Sequence, residues 1–561
     1  MESAVATLHS VDFRFLLPSN RPGPFEHVVL LGGMPGTAER LLETGTALLV
    51  SRSTEVQPGA DAVIVFGREQ PDLRDIARCL QPGGVLYFHM RHIPSLSGQA
   101  RTRRLYHALA EVGLVLVATY GVRPDFISPR VYIPLEAPGA LLWYLRTLHQ
   151  VSDPTSWLMN KTLMGIGNAS SELLSSFVPD VAIVARKPAA AEAATATNGA
   201  SIVSDPLLGR TLGTDDLHTL LISGQRTIVF PFGRTSTEPL AVIKVPKLAS
   251  QNRATEDEHQ ALADLGQQLD SSMASSVPKP LLLLRWRDTS VSVESVMRGR
   301  SLAQTLDSWR TPLTTKIEGL RDAARWLSDF HRRTELARAP WDAEQTRYWF
   351  TTPTDVYRRT FDETEEERCL FERARTCAVS TIGVQLPLVR QHRDFRPVNI
   401  IRSPSGEITV VDWEGYRSGP AFCDLFHFLF QWHASVRRQD HLTTVNSVER
   451  LLFEPTEDTI GEAIHDVVAT YLSELRLHSA LVPLLILYTL LELAIRRAEQ
   501  QQRENVGTDL RRDNENIEFL AVLAAHRDEL FDAPRAGSLL QRVCDGPERN
   551  GGPRGSSFVT G

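Results

Sequence analysis

His392-Arg393-Asp394-Phe395-Arg396-Pro397-Val398-Asn399 is followed, after a hairpin-like interval, by Val410-Val411-Asp412-Trp413-Glu414. Asp394, Asn399 and Asp412 bring carboxylate and amide oxygens together at spacings that call for a chemical reason. Phosphoryl transfer needs one group that orients an attacking hydroxyl and accepts its proton, and further oxygens that hold magnesium against the phosphates. Asp394 suits the first task, and Asn399 and Asp412 suit the second. Ser403-Pro404-Ser405-Gly406 supplies a turn that would return the chain and carry Asn399 and Asp412 to one cleft. The competing reading is a surface loop followed by an ordinary strand end, where Asp and Asn are common. Features on both sides of the stretch weigh against it.

Upstream, Ala241-Val242-Ile243-Lys244 ends a strand pattern, and fourteen residues later Glu258 heads the helical pattern Glu258 to Leu265. Glu256 competes with Glu258 for Lys244; the spacing of Glu258 to Leu265 favours Glu258. Ser223-Gly224-Gln225-Arg226 lies between two strand candidates and holds a single glycine. Strands are expected at Thr219 to Ile222, Thr227 to Phe232, Leu240 to Val245 and Val291 to Val296, and the chain turns mostly helical after Ser301. Downstream stand Gly419-Pro420 and Asp424, the latter expected to serve structure. His331 reads as a packed core histidine and Asp362 to Glu367 as a solvated helix face.

H-x-D-x-x-x-x-N followed by a strand ending in D-W-E resembles the signature of the aminoglycoside-phosphotransferase and choline-kinase superfamily, whose fold is protein-kinase-like. That resemblance implies an α+β bilobal domain, with an N-lobe at 204–300 and a C-lobe at 301–534. It implies that Asp394 is the catalytic base and that Asn399 and Asp412 are metal ligands. Asp412 takes the place of the Asp that opens D-F-G in protein kinases. It further implies that Gly224, Lys244 and Glu258 serve nucleotide binding, with Glu294 to Arg298 as the hinge and Gly299 and Leu302 turning into the C-lobe. ATP and Mg2+ are the cofactors so implied. Arg396 either reaches the transferred phosphate or pairs with a neighbour. The acceptor would be a hydroxyl of a small molecule, whether amino sugar, saccharide, amino alcohol or biosynthetic intermediate, held by segments within 335–385 and 430–500. A competing function is a nucleotide-binding regulatory module without chemistry.

The first third of the chain alternates strand and helix patterns: His27 to Leu31, Thr37 to Glu43, Ala47 to Val50, Ala62 to Phe66 and Val85 to His89. Such alternation predicts a parallel sheet with crossover helices. Gly32-Gly33-Met34-Pro35-Gly36, the turn Leu80-Gln81-Pro82-Gly83-Gly84 and the run Val181 to Lys187 make residues 1–186 resemble a Rossmann-like class I S-adenosylmethionine methyltransferase domain. Leu30-Leu31 and Val50-Ser51 stand where that family places acidic residues for its cofactor. The fold is therefore expected more than methyl transfer, and a methyltransferase carrying an accessory kinase-like domain is a further alternative. Lys187 to Ser201 is poor in large side chains, so 187–203 reads as a linker, and 535–561, rich in Gly, Pro, Ser and Arg, reads as a disordered tail.

With 561 residues the chain exceeds one ordinary core, and its formal net charge of -7 argues against a partner such as nucleic acid or anionic membrane. Cys79, Cys369, Cys377, Cys423 and Cys544 form no C-x-x-C pair, which suits reduced thiols in a cytoplasmic protein. Met1 to Ser19 lacks the pattern of a secretory signal, and the apolar window Leu481 to Leu491 reads as a buried helix. Oligomeric state is not written in any of these features.

Overall fold

The computed structural model describes residues 12–545 apart from 18–22, 33–36, 53–57, 67–71, 92–95, 125–128, 150–152, 176, 179, 190–204, 439–442, 456 and 504–508. Contacts divide the chain into two compact units, Met1–Ala263 with Pro278–Val296, and Asp264–Val277 with Met297–Gly561.

The first unit is built on one sheet. Its strands are β1 (Phe25–Leu31), β2 (Ala47–Arg52), β3 (Ala60–Phe66), β4 (Leu80–Arg91), β5 (Val115–Arg123), β6 (Val131–Pro134), β7 (Asp180–Arg186), β8 (Leu217–Ser223), β9 (Arg226–Gly233), β10 (Val242–Pro246), β11 (Pro280–Trp286) and β12 (Thr289–Glu294). The 12-stranded order is β11-β12-β10-β9-β8-β6-β5-β7-β4-β3-β1-β2. β2, β1, β3 and β4 run parallel, as the alternation of strands and helices predicts. β3 is buried along its whole length, which is why it reads as a continuous apolar run rather than an alternating one. β7 lies antiparallel between β4 and β5, and β5 pairs antiparallel with β6.

The join between β6 and β8 departs from expectation. Val131 pairs with Ile222 and Tyr132 with Leu221, so the amino-terminal α/β segment and the strand-rich segment after residue 204 share a sheet within one unit. An unpaired strand edge leaves a row of backbone donors and acceptors open, and β6 closes the edge of β8 in this way. Lys187, expected to open a linker, instead belongs to the α/β segment: its Nζ donates to the carbonyls of Ala77 and Leu80, each at 2.7 Å. The rest of the expected linker, 190–203, lies outside the described residues.

The short helix Phe13–Leu16 packs into this core. Phe13 meets the ring of Tyr87 edge-on at 5.2 Å, and Phe15 stacks on Trp286 at 5.2 Å. Phe13, Phe15, Leu16 and Leu17 share one apolar cluster with Phe66 and Tyr87 of the parallel strands and with Val229, Ile243 and Val293 of β9, β10 and β12. Asp12, 4% exposed, caps the helix through the Arg14 amide and pairs with the Arg14 guanidinium at 2.7 Å. Arg14 also donates to the Pro246 carbonyl at 2.9 Å, and the Thr227 hydroxyl donates to Asp12 at 2.5 Å.

The second unit is mainly helical. Its two small sheets join β13 (Arg300–Ser301), β16 (Ile400–Arg402) and β17 (Ile408–Val410), and β14 (Ala337–Pro340), β15 (Gln385–Gln391) and β18 (Arg417–Pro420). The apolar window Leu481 to Leu491, which lies in helix Val482–Arg503 apart from its first residue, is buried throughout. Length and composition would let Ser479–Gln502 cross a membrane, but 67% of its apolar window is buried among protein side chains, as a core helix requires. Two expectations are corrected here. Leu539–Asp545 is a helix with Leu539, Leu540 and Val543 buried, because these apolar positions fall on one helical face; only 546–561 of the expected disordered tail lie outside the described residues. Glu367, expected on a solvated face, is 1% exposed and takes hydrogen bonds from the Tyr357 hydroxyl at 2.8 Å and Arg511 at 2.7 Å.

Candidate active site

Within the second unit, β15 delivers the chain to His392 and the β16–β17 hairpin returns it to Asp412. The Asn399 amide nitrogen donates to the Asp394 carbonyl at 2.9 Å and to its carboxylate at 2.8 Å. Those donor contacts assign the amide orientation and turn the Asn399 carbonyl oxygen outward as an acceptor. Val411 N–H donates to the Asn399 carbonyl at 3.0 Å and ties the loop to the strand that ends at Asp412. Asp394 N–H donates to His392 Nδ1 at 3.2 Å, and His392 Nε2 lies 3.0 Å from the Val411 carbonyl, so the ring, too, ties the loop to the strand that ends at Asp412. Arg396, its side chain 45% exposed, sets its Nε 3.0 Å from the Asp394 carboxylate.

The backbone here is held in conformations that L-residues disfavour. Arg393 (φ 64°), Asp412 (φ 70°) and Phe422 (φ 89°) each occupy the left-handed region, at a cost on the order of 1–3 kcal/mol apiece. Asp424 helps to impose this geometry, because its carboxylate accepts the His392 and Arg393 amides, each at 2.7 Å. Burial acts to raise the Asp424 pKa, and the hydrogen bond and charge of His331, with His392, hold it below the ordinary value instead. The Tyr471 hydroxyl accepts the Phe422 N–H at 3.0 Å and lies 2.6 Å from His331 Nδ1, while His331 Nε2 faces Asp424 at 3.4 Å. His331 thus braces the loop from a wholly buried position.

In the first unit, β10 presents Lys244 and helix Asn252–Gln268 presents Glu258. Lys244 Nζ lies 2.5 Å from Glu258 Oε1, and Arg226 Nη1 lies 2.5 Å from Glu258 Oε2. Burial would raise the Glu258 pKa, but the charges of Lys244 and Arg226 and their hydrogen bonds bring it down to about 2. Glu256 turns away, to the Ser290 hydroxyl and to Arg285 at 3.5 Å. Glu294, expected only as the start of the hinge, also sets its Oε1 3.0 Å from Lys244 Nζ, a contact that follows from the strand pairing that places Lys244 opposite Ser292 and Val242 opposite Glu294. Gly224 and Gln225 form a tight hairpin in which Gly224 N–H donates to the Arg226 carbonyl at 3.0 Å. A turn this short offers few backbone amides to a phosphate, and Arg226 is committed to Glu258 rather than to a ligand.

The residues fit magnesium. Among the described residues, the Asp412 carboxylate has no hydrogen-bond or ion-pair partner, and no three His, Cys, Asp or Glu side chains gather into a closed cage. One carboxylate plus one amide oxygen, with phosphate and water completing the shell, is how proteins commonly hold this ion. The residues do not fit S-adenosylmethionine. Gly32 (φ 71°) packs so close to the end of β3 that a Cβ on it would stand 2.1 Å from the Phe66 carbonyl oxygen, so the glycine at this position serves the protein's own packing. Ser51 near the end of β2 takes a contact from His27 at 2.7 Å and offers no carboxylate for a ribose. Gly33 and Gly36 lie outside the described residues.

Residues 233–444 match the model of the phosphotransferase enzyme family, a span that contains Lys244, Glu258, Asp394, Asn399 and Asp412. A thermostable mutant of aminoglycoside phosphotransferase APH(4)-Ia, in ternary complex with ADP and hygromycin B, is similar over 58% of this chain and 97% of its own, at 13% identity and a TM-score of 0.36. The Plasmodium vivax ethanolamine kinase Pv091845 is similar over 56% of this chain and 82% of its own, at 13% identity and a TM-score of 0.35. Aminoglycoside phosphotransferase APH(3'')-Id from Streptomyces rimosus, in complex with ADP and streptomycin, is similar over 46% and 90%, at 16% identity and a TM-score of 0.28. No curated protein matches the chain.

Proposed function

We propose that the chain is an ATP-dependent phosphotransferase that moves the γ-phosphate to a hydroxyl of a small molecule. The observation that carries this reading is the Asp394–Asn399–Asp412 arrangement, strained at Asp412 and locked by Asn399, inside a span that matches a phosphotransferase family. Asp394 accepts the proton of the acceptor hydroxyl as its oxygen bonds to the γ-phosphorus, and the bond from that phosphorus to the bridging oxygen of ADP breaks. Asn399 Oδ1 and Asp412 hold Mg2+, which supplies charge neutralisation at the phosphates. Lys244, steadied by Glu258, meets the nucleotide phosphates, and Arg396 offers charge beside the base. Most of the rate then comes from positioning and electrostatic stabilisation.

Residues 1–186 serve in this proposal as a methyltransferase-like α/β segment kept for its architecture. The parallel run β2-β1-β3-β4 supports that reading. Cys79, Cys369, Cys377 and Cys423, none of them in a disulfide, support a cytoplasmic location.

The test is ADP release from ATP and magnesium over a panel of hydroxylated metabolites and aminoglycosides, with the intact chain beside Asp394→Ala. Acceptor-dependent release that falls by about 10²–10⁴ in the variant is the expected result. Equal release from both proteins would remove Asp394 from the chemistry. ATP binding with no turnover by any acceptor would favour the regulatory module, a reading helped by the short Gly224 hairpin.

A further inference from the structure

The surroundings of Asp394 in the second unit carry more positive charge than the proposed chemistry uses. Arg393 and Arg417 share Glu492, and Arg417 also donates to the Tyr488 hydroxyl at 3.0 Å. Arg496 stands one turn beyond Glu492 on helix Val482–Arg503 and donates to the Arg393 carbonyl at 2.8 Å. That carbonyl bond is its single hydrogen bond among the described residues, and no carboxylate lies within ion-pair reach of it. Its Nη2 would stand 3.6 Å from a Cβ on Gly415, which places the guanidinium against the turn that follows Asp412. Burial first, and then the charge of Arg393, push the Arg496 pKa down to about 10. A partly buried cation under those forces is relieved by an anion.

His427 supplies an independent observation. It sits one turn after Asp424 on helix Cys423–Val436, is 6% exposed, stacks on Phe430 at 5.3 Å, and has no hydrogen-bond partner among the described residues. Asp394, Arg396, Arg496 and Asp424 are the charged groups that act on it, and burial holds it neutral, with a pKa near 4. With no protein partner among the described residues, its ring nitrogens are available to a ligand hydroxyl, which they can meet as donor or acceptor.

We propose that the acceptor is a small hydroxylated molecule bearing an anionic group, which Arg496 binds through that anion while His427 hydrogen-bonds a neutral hydroxyl near the reacting one. This rests on the phosphotransferase reading above. Arg393 and Arg396 are paired with Glu492 and Asp394, so a polycationic acceptor would meet like charge at Arg496, whereas a carboxylate or phosphate would find there a planar guanidinium suited to bidentate contact.

Two measurements on the intact chain separate this proposal from the reading beneath it. The first needs no turnover: hydrogen exchange of peptides covering 390–420 and 490–498, in sodium sulfate against sodium chloride at equal ionic strength, for wild type, Arg496→Met and Arg496→Lys. Sulfate protection in wild type that is lost in Arg496→Met and partly kept in Arg496→Lys is expected; equal protection in all three proteins, or none in wild type, overturns the anion site. The second compares ADP release with glucuronate, glucose, glucosamine and kanamycin. Glucuronate should lead glucosamine in kcat/KM by about tenfold or more, and Arg496→Met should raise its KM by about tenfold while moving the KM for ATP less than about twofold. Preference for glucosamine or kanamycin, or a rise confined to the KM for ATP, overturns the proposal and leaves the phosphotransferase standing. Arg496-dependent sulfate protection without Asp394-dependent ADP release from any acceptor keeps the anion site and removes the phosphotransferase.

Discussion

Replacing Asp12 with alanine should loosen the strand that carries Lys244, although the two residues are remote in sequence. The Asp12 carboxylate takes both Nε and Nη2 of Arg14, at 3.0 and 2.7 Å, and the Thr227 hydroxyl at 2.5 Å. Asp12 and Arg14 are each 4% exposed, so removing the carboxylate strands a buried guanidinium. Breaking a buried pair in this way costs about 3–5 kcal/mol. The loss falls on β9 and β10, since Thr227 pairs with Val245 and Arg14 holds the Pro246 carbonyl. Two compact units need not unfold together, so the assay is amide exchange in β9 and β10 peptides under rising urea rather than a single melting midpoint. Exchange through opening of this unit should accelerate by about 10²–10⁴-fold, at tenfold per 1.4 kcal/mol. Burial acts to raise the Asp12 pKa, and Arg14, Thr227 and Lys247 lower it below the ordinary value. Its contribution is therefore fully present above the unfolded carboxyl value of about 4 and is lost as pH falls through the lower folded value. A loss under about 1 kcal/mol, the worth of a surface ion pair, would refute the reasoning.

Residues 204–534 expressed alone should fail to give a soluble folded protein, because they would lose β6 from the edge of β8 and the cluster around Phe13 and Phe15; a cooperative urea transition in that fragment would contradict this. Lys247 is depressed to about 7 by burial, with Arg40, Arg14 and Arg130 adding to the fall and Asp12 opposing it. Between that value and the unfolded lysine value of about 10.4 the unfolded chain binds more protons, so stability should rise with pH in this window and the rise should flatten in Lys247→Met, as read by urea titration at pH 7 and pH 9. Glu258→Gln should raise the KM for ATP by about tenfold through loss of the charge that steadies Lys244, with the acceptor KM little moved; an unchanged ATP KM would detach Glu258 from nucleotide binding.

What could be read along the chain was what is local. The Asp394–Asn399 contact spans five residues and its hairpin is announced by Ser403 to Gly406, so residue type and spacing suffice to find it. Lys244 and Glu258 are joined by a strand, a turn and a helix, whose periodicities show in the sequence. The parallel strands β1 and β3 are legible because burial on both faces demands uninterrupted apolar runs. β11 was missed because Leu281 to Leu284 is apolar on both faces of the strand, so the sequence hides the regular alternation of exposed and inward positions that the fold gives it.

Other features exist only once distant segments meet. Nothing in the four residues of β6 says that they close the edge of β8, since backbone pairing is indifferent to side-chain identity and its register is set by the surrounding sheet. Asp12 and Lys247 look like ordinary surface charges until folding removes their water, and Glu367 leaves an acidic run for a buried bond with Arg511, 144 residues on. Arg496 reaches the loop that carries Asp394 from 103 residues away, through a contact to a carbonyl that no motif encodes. The sequence by itself determined the Asp394–Asn399 contact and the hairpin that leads to Asp412, because those residues act over a short stretch of chain. Tertiary structure alone decided which charges are buried, which strand edges are closed, and which cations stand beside Asp394, because desolvation and long-range pairing belong to the folded molecule and not to any one segment of it.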